Sequence, residues 1–246
     1  MLLKKGLLLG LTWFSLSATA GNIDYQVNGE KYEGYYASPA QNSPLVLLIH
    51  DWDGLTDYEI KRANMLVEEG YAVFAADLFG KGIRPTEDKD KKQHTGELYQ
   101  DRQKMRQLIN AAMDKAVELG ANPQQVVVMG YCFGGAAALE MARSGKDLQG
   151  FVSFHGGLTT PEGQDYANTS AEILVLHGAA DKAISMQEFA QLSVELETHN
   201  VANEMIAYGG ADHAFTVFGI DRYHPEADAK SWQRFLAFLN DKLEKE

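Results

Sequence analysis

The stretch Val126-Val127-Val128-Met129-Gly130-Tyr131-Cys132-Phe133-Gly134-Gly135 constrains the fold more than any other part of the chain. Its valines and methionine make a strand with no polar face, and the small residues from Gly134 to Ala138, continued by Leu139, Met141 and Ala142, open a helix. A cysteine between the two stands on a sharp strand-to-helix turn, pushed out above the carboxyl edge of a parallel sheet. Gly130 and Gly134, two residues to either side, suit a turn too tight for a β-carbon, and Gly135 lets the helix pack close to the sheet. The Phe133 amide falls at a helix N-terminus, where it can stabilise negative charge on a reacting oxygen or on sulfur. A lone cysteine is ordinarily a small buried hydrophobe. This frame instead reads as a nucleophile elbow with sulfur in place of oxygen, which requires a histidine and a carboxylate later in the chain.

Both follow. Asp181 closes His177-Gly178-Ala179-Ala180-Asp181 after an apolar run, and His213 stands in Ala211-Asp212-His213-Ala214-Phe215. Acyl transfer through a covalent intermediate needs a nucleophile, a base that takes and returns its proton, and a carboxylate that orients the base. Cys132, Asp181 and His213 occur in the order nucleophile, acid, histidine that such a sheet requires. Taken alone, Asp181 would read as a helix cap or a turn residue. Asp212 is a rival orienter, but adjacency to His213 leaves it poorly placed to aim at the imidazole. His50, His155 and His177 also end strands near this edge and read as packing or loop-ordering residues, with His50 and His155 close enough to line a pocket. The expected oxyanion donors are the backbone N–H groups of Phe133 and, from the loop after Leu45–Ile49, Trp52. Asp51 in that loop is unexpected. A carboxylate opposes a nearby thiolate, so it either points away or holds the resting thiol.

The rest of the chain alternates strands with helices, as a mostly parallel, doubly wound α/β sheet does. Ile23–Ser38 contains Asn28-Gly29, a hairpin signal, and predicts an antiparallel hairpin at the sheet edge. Leu45–Ile49, Tyr71–Asp77, Leu148–Phe154, Ile173–Leu176 and Glu204–Tyr208 read as further strands. A helix is expected after Thr56 or Asp57, stopped by Gly70. Others are expected over Met186–His199 and Asp228–Leu239. The polar, turn-rich segment from Leu78 to about His94 reads as a long loop, either a lid over the site or a solvated connection, followed by one long helix to Leu119.

Met1-Leu2-Leu3-Lys4-Lys5, an apolar run to Leu16 and Ala18-Thr19-Ala20 make a secretory signal peptide over residues 1–20, cut before Gly21. The apolar run is short for a bilayer span, so export without membrane retention, to the periplasm or the medium, is expected. Residues 21–246 then form a single domain. Loss of the two lysines takes the formal net charge from −12 to −14, a sign that disfavours nucleic acid and anionic lipid as partners. One cysteine permits no internal disulfide, and the 7 scattered histidines offer no metal-ligand spacing, so no metal is expected. A monomer with a small-molecule partner is the simplest expectation.

These residues resemble the dienelactone hydrolase family of the α/β-hydrolase fold, over essentially the whole chain after residue 20. The matches are Gly130-Tyr131-Cys132-Phe133-Gly134-Gly135, Asp181, His213-Ala214-Phe215 and Asp77-Leu78-Phe79-Gly80-Lys81-Gly82. The resemblance implies hydrolysis of a small ester or lactone through a cysteinyl acyl-enzyme, without a cofactor. Members acting on dienelactone carry a glutamate where this chain has Asp51, and two arginines that hold the substrate carboxylate. Lys81 stands at the first arginine position and Val217 at the second. Lysine attracts an anion but lacks the planar fork, so dienelactone itself is not expected as substrate. Asp51, Lys81 and Arg84 are the expected substrate contacts, Arg84 as a compensating cation. Two other classes stay open: a non-catalytic ligand-binding protein with a hydrolase ancestor's pocket, and a redox protein, disfavoured because no resolving cysteine exists.

Overall fold

The computed structural model describes residues 19–244. The signal-peptide segment lies outside the described residues except for Thr19 and Ala20, which begin the first strand. In chain order the elements are β1 (Thr19–Val27), β2 (Glu30–Ser38), β3 (Pro44–Ile49), α1 (Asp57–Glu68), β4 (Ala72–Ala76), α2 (Asp88–Gln100), α3 (Arg102–Glu118), β5 (Asn122–Tyr131), α4 (Phe133–Arg143), β6 (Gly150–Phe154), β7 (Glu172–Gly178), α5 (Met186–Thr198), β8 (Asn203–Tyr208) and α6 (Pro225–Lys242). The strands form one sheet in the order β1-β2-β4-β3-β5-β6-β7-β8. β1 pairs antiparallel with β2 through the Asn28-Gly29 turn, both residues having positive φ, and β2 pairs antiparallel with β4. Every later pairing is parallel. This is the α/β-hydrolase architecture, with its antiparallel N-terminal pair at one edge.

β3 and β5 are apolar throughout their central residues because both sheet faces are covered. Leu45, Leu47 and Ile49 face a core shared with α3, α4 and α5, while Val46 and Leu48 face one closed by α1 and α6. Thr56 caps α1 in a reciprocal box with Glu59. The segment expected to be a loop up to His94 is helical from Asp88. Its first turn carries Asp88 and Asp90, favourable at a positive helix end, and only Thr95 and Leu98 are buried, too sparse an apolar stripe to read as periodic. The single long helix expected after it is two. The chain breaks at Asp101, whose side chain accepts a hydrogen bond from the Lys104 amide (2.9 Å) and starts α3 afresh.

Candidate active site

β5 ends at Tyr131, and Cys132 takes φ 49° and ψ −108° before α4 begins at Phe133. Such a backbone in a residue with a β-carbon costs on the order of 1–3 kcal/mol and persists only where its surroundings over-determine it. The glycines do so. A β-carbon on Gly130 would lie 2.2 Å from the Gly134 carbonyl carbon, and one on Gly134 would lie 2.2 Å from the Ile49 oxygen at the end of β3. One on Gly135 would meet Ser153 Oγ at 2.6 Å. The elbow is therefore clamped between β3 and β6, and the Cys132 side chain is held over the carboxyl edge.

β7 ends two residues before Ala180, whose amide bonds to the Ala211 carbonyl (2.9 Å), tying the loops that carry Asp181 and His213 together. His213 Nδ1 lies 2.8 Å from Asp181 Oδ2, and His213 Nε2 lies 3.1 Å from Cys132 Sγ. Asp181 Oδ1 accepts the amides of Ala183 and Ile184, each at 2.8 Å. Burial raises the Asp181 pKa, but the His213 and loop hydrogen bonds outweigh it and leave the carboxyl below its ordinary value. An ionised Asp181 accepting from Nδ1 leaves the Nε2 lone pair facing sulfur. Asp212, the rival, accepts the His213 backbone amide (2.7 Å) and, among the described residues, does not reach the imidazole.

The loop after β3 approaches from the other side. Burial pushes the Asp51 carboxyl up to about 6, while hydrogen bonds from the Trp52 amide and the Cys132 thiol act against that rise. The thiol in turn is pushed well above its ordinary value, by burial first and then by the charge and hydrogen bond of Asp51; the Phe133 amide pulls the other way. The sulfur thus rests protonated between two acceptors, Asp51 and His213 Nε2. The Trp52 amide, expected to donate to an oxyanion, donates to Asp51 Oδ1 at 2.5 Å. Beneath it, Glu59 accepts the amides of Asp51 (3.2 Å) and Thr56 (2.8 Å), and burial pushes its carboxyl up to about 8. His50 is a bracket: Nδ1 lies 2.6 Å from the Asp51 carbonyl, Nε2 accepts the Leu78 amide (3.1 Å), and burial lowers its pKa to about 4.

A cavity of about 290 Å³ opens onto the sulfur, lined by Asp51, Trp52, Tyr99, Cys132, Phe133, Gly157, Ala183, Ile184, His213, Ala214 and Arg222. Among the described residues no group of His, Cys, Asp and Glu could hold a metal ion. A model of the dienelactone hydrolase family matches residues 32–243. The chain belongs to this family. A protein of Escherichia coli provisionally named carboxymethylenebutenolidase is 25% identical, over 89% of this chain and 86% of its own. A Bradyrhizobium protein provisionally named 2-oxo-3-(5-oxofuran-2-ylidene)propanoate lactonase is 25% identical over 88% of this chain and 92% of its own. Among solved structures, a dienelactone hydrolase-like promiscuous phosphotriesterase from metagenomic libraries is 28% identical with a TM-score of 0.85, covering 92% of this chain and 99% of that one. Like the family, the chain is an ester or lactone hydrolase.

Against this member's cavity, Lys81 and Arg84 must be corrected. Lys81 lies on the hairpin side, paired with Asp24 (2.5 Å) and Glu33 (3.6 Å), and Arg84 is spent on the carbonyls of Leu55, Ile83 and Glu33 and on Asp77. Neither lines the cavity. His50 and His155 do not line it either, and both are fully buried. Tyr99, Ile184 and Arg222 were missed. Tyr99 ends a helix hidden in a charge run and packs edge-on against Phe133 at 5.5 Å. Arg222 lies nine residues past His213 in an irregular loop, with no pattern to mark it.

Proposed function

We propose that the hydrolysis runs through a cysteinyl acyl-enzyme, with Cys132 as nucleophile, His213 as base and then acid, and Asp181 as its orienter. What supports this reading is the unbroken line from Asp181 Oδ2 through both nitrogens of His213 to Cys132 Sγ, at 2.8 and 3.1 Å, ending at a cavity. His213 Nε2 takes the thiol proton as sulfur attacks the carbonyl, and Asp181 stabilises the imidazolium. The Phe133 amide at the start of α4 receives the developing oxyanion. The same imidazolium returns the proton to the leaving oxygen, and the cycle repeats with water as nucleophile. At rest, the Asp51 carboxylate holds both the thiol and the Trp52 amide, as an oxyanion would. Entry of the substrate carbonyl displaces it, which releases Trp52 N–H as the second donor and removes the charge that opposes a thiolate.

The cavity suits a small acyl group or a lactone, and Arg222 is the one cation among its lining residues. An anionic group on the substrate would sit at that end. The amino terminus, with its Ala18-Thr19-Ala20 site, supports export. The test is p-nitrophenyl acetate turnover with intact mass spectrometry. An acetyl adduct on Cys132 and loss of turnover in Cys132→Ala are expected. Undiminished turnover by a folded Cys132→Ala would overturn the mechanism.

A further inference from the structure

Behind His213, on the side away from the cavity, a buried polar chain ends against its ring. Thr216 Oγ1 lies 2.7 Å from Tyr58 Oη and 2.8 Å from His155 Nε2. Tyr58 Oη accepts from Arg62 Nε at 3.3 Å, and Arg62 Nη2 also donates to the Thr216 carbonyl (2.8 Å) and to Asp228 (2.5 Å). Thr216 and His155 have no exposed surface and Arg62 only 1%. The His155 ring meets His213 edge to face, centroids 5.5 Å apart at 66°.

Arg62 can only donate, so Tyr58 Oη receives its N–H. Thr216 Oγ1 bonds both Tyr58 Oη and His155 Nε2, and among the described residues no other side chain bonds to the His155 ring. Burial first, and then the charge of His213, keeps the ring neutral, and its orientation is held by a single hydroxyl. Between His213 and Thr216 the chain passes through Ala214 at φ 60°, an uncommon conformation for a residue with a β-carbon. A segment bent that way needs a firm hold on its far side, and Thr216 supplies it with both its hydroxyl and its carbonyl.

We propose that Thr216 is a positioning residue for the hydrolysis: its hydroxyl, anchored on Tyr58, holds His155 against His213 and so keeps His213 Nε2 aimed at Cys132 Sγ. The proposal rests on the cysteinyl acyl-enzyme reading. None of Tyr58, His155 and Thr216 lines the cavity, so their influence falls on the chemical steps and not on substrate binding.

The experiment is steady-state p-nitrophenyl acetate hydrolysis by Thr216→Val, Thr216→Ser and Tyr58→Phe, with folding checked by circular dichroism and Cys132→Ala run in parallel. Valine keeps the shape and removes the hydroxyl, and a misaimed catalytic group lowers kcat about ten- to a hundredfold, with KM held within about twofold. Serine restores the hydroxyl and is expected within about threefold of the parent. Tyr58→Phe removes the hydroxyl on α1 that anchors Thr216 and is expected to lower kcat in the same direction, which keeps the test decisive if valine does not fold. Unchanged kcat in a folded Thr216→Val or Tyr58→Phe, a loss expressed only in KM, or a serine variant as poor as valine would overturn the proposal. Turnover retained by Cys132→Ala would instead overturn the acyl-enzyme reading on which it rests.

Discussion

The two walls of the cavity are built differently. On the side of Cys132 and His213, position is imposed by backbone: a positive φ at Cys132, glycines whose β-carbons would overlap neighbouring main chain, and amide-to-carbonyl bonds that tie the Asp181 and His213 loops. The rest of the lining includes Trp52, Tyr99, Ile184 and Arg222, which come from the loop after β3, from α2 and from the loops that also carry Asp181 and His213. The backbone-built wall tolerates almost no substitution, and the side-chain wall can be changed residue by residue without unmaking the elbow. A hydrolase that keeps its reaction while changing its substrate needs that division.

The largest effect expected on the first wall is chemical. Replacing Cys132 by alanine, or His213 by alanine, should lower kcat by about a thousandfold or more, since members of such a unit fail together. Ester turnover by the purified variants checks this, and a folded, inactive Cys132→Ala separates chemistry from architecture. Next comes Gly134→Ala. Its β-carbon would meet main-chain oxygen of Ile49 and His50 at 2.2 and 2.7 Å, and backbone cannot step aside as a side-chain tip can. A loss of roughly 3 kcal/mol or more is expected, read by urea denaturation. If Gly134→Ala unfolded at the parent's midpoint, the claim that backbone sets this wall would fail.

That contrast also explains what could be read from the sequence. Gly130, Gly134 and the order of Cys132, Asp181 and His213 are legible because each satisfies a local backbone requirement that few residue types meet, and strand-helix alternation is a local signal too. The whole mostly parallel sheet and its antiparallel edge follow from such signals. Lys81 was expected at the cavity because it stands at the family's first arginine position, with Arg84 as a compensating cation, but both are engaged by partners on the β2 and α1 side and neither lines the cavity. Tyr99 was hidden because α2 has only two buried residues, so its helical period is faint and its end could not be aimed. The Tyr58–Thr216–His155 chain spans three distant parts of the sequence, and nothing in any one of them announces the other two.

Asp51 sits where the walls meet. Its carboxyl titrates at about 6 folded against 3.8 as its ordinary value, so between those pH values the native state holds a proton that the unfolded chain has released. Stability therefore falls as pH rises from about 4 to about 6, and the full cost persists above. Asp51→Asn keeps an acceptor for the Trp52 amide and removes the buried charge. It should raise stability at pH 7 by on the order of 2–3 kcal/mol and leave little difference from the parent at pH 4. Glu59 is pushed up to about 8 mainly by burial and in part by the Asp51 charge, so Asp51→Asn also eases the burial of the Glu59 carboxylate, in the same direction at pH 7. Urea titrations at pH 4 and 7 check it. The same variant should speed alkylation of Cys132 by iodoacetamide, because the Asp51 charge and hydrogen bond, which add to burial in holding the thiol protonated, are gone; an equal alkylation rate would mean that Asp51 does not hold the sulfur.

The smallest effects separate the two cations. Arg222 is exposed and lines the cavity, whereas Lys81 is exposed but engaged by Asp24 and Glu33 on the hairpin side. Attraction across a solvated rim is weak and screened by salt, so Arg222→Ala should raise KM for an ester bearing a carboxylate by about three- to tenfold at low ionic strength. It should leave KM for the neutral p-nitrophenyl acetate unchanged, and its effect should shrink as salt is added. Lys81→Ala should change neither KM, although the sequence placed both a lysine and an anion-binding expectation at that position. If Lys81→Ala raised KM for the anionic ester as much as Arg222→Ala does, the electrostatic field of the whole face, and not a side chain on the cavity wall, would be selecting the substrate.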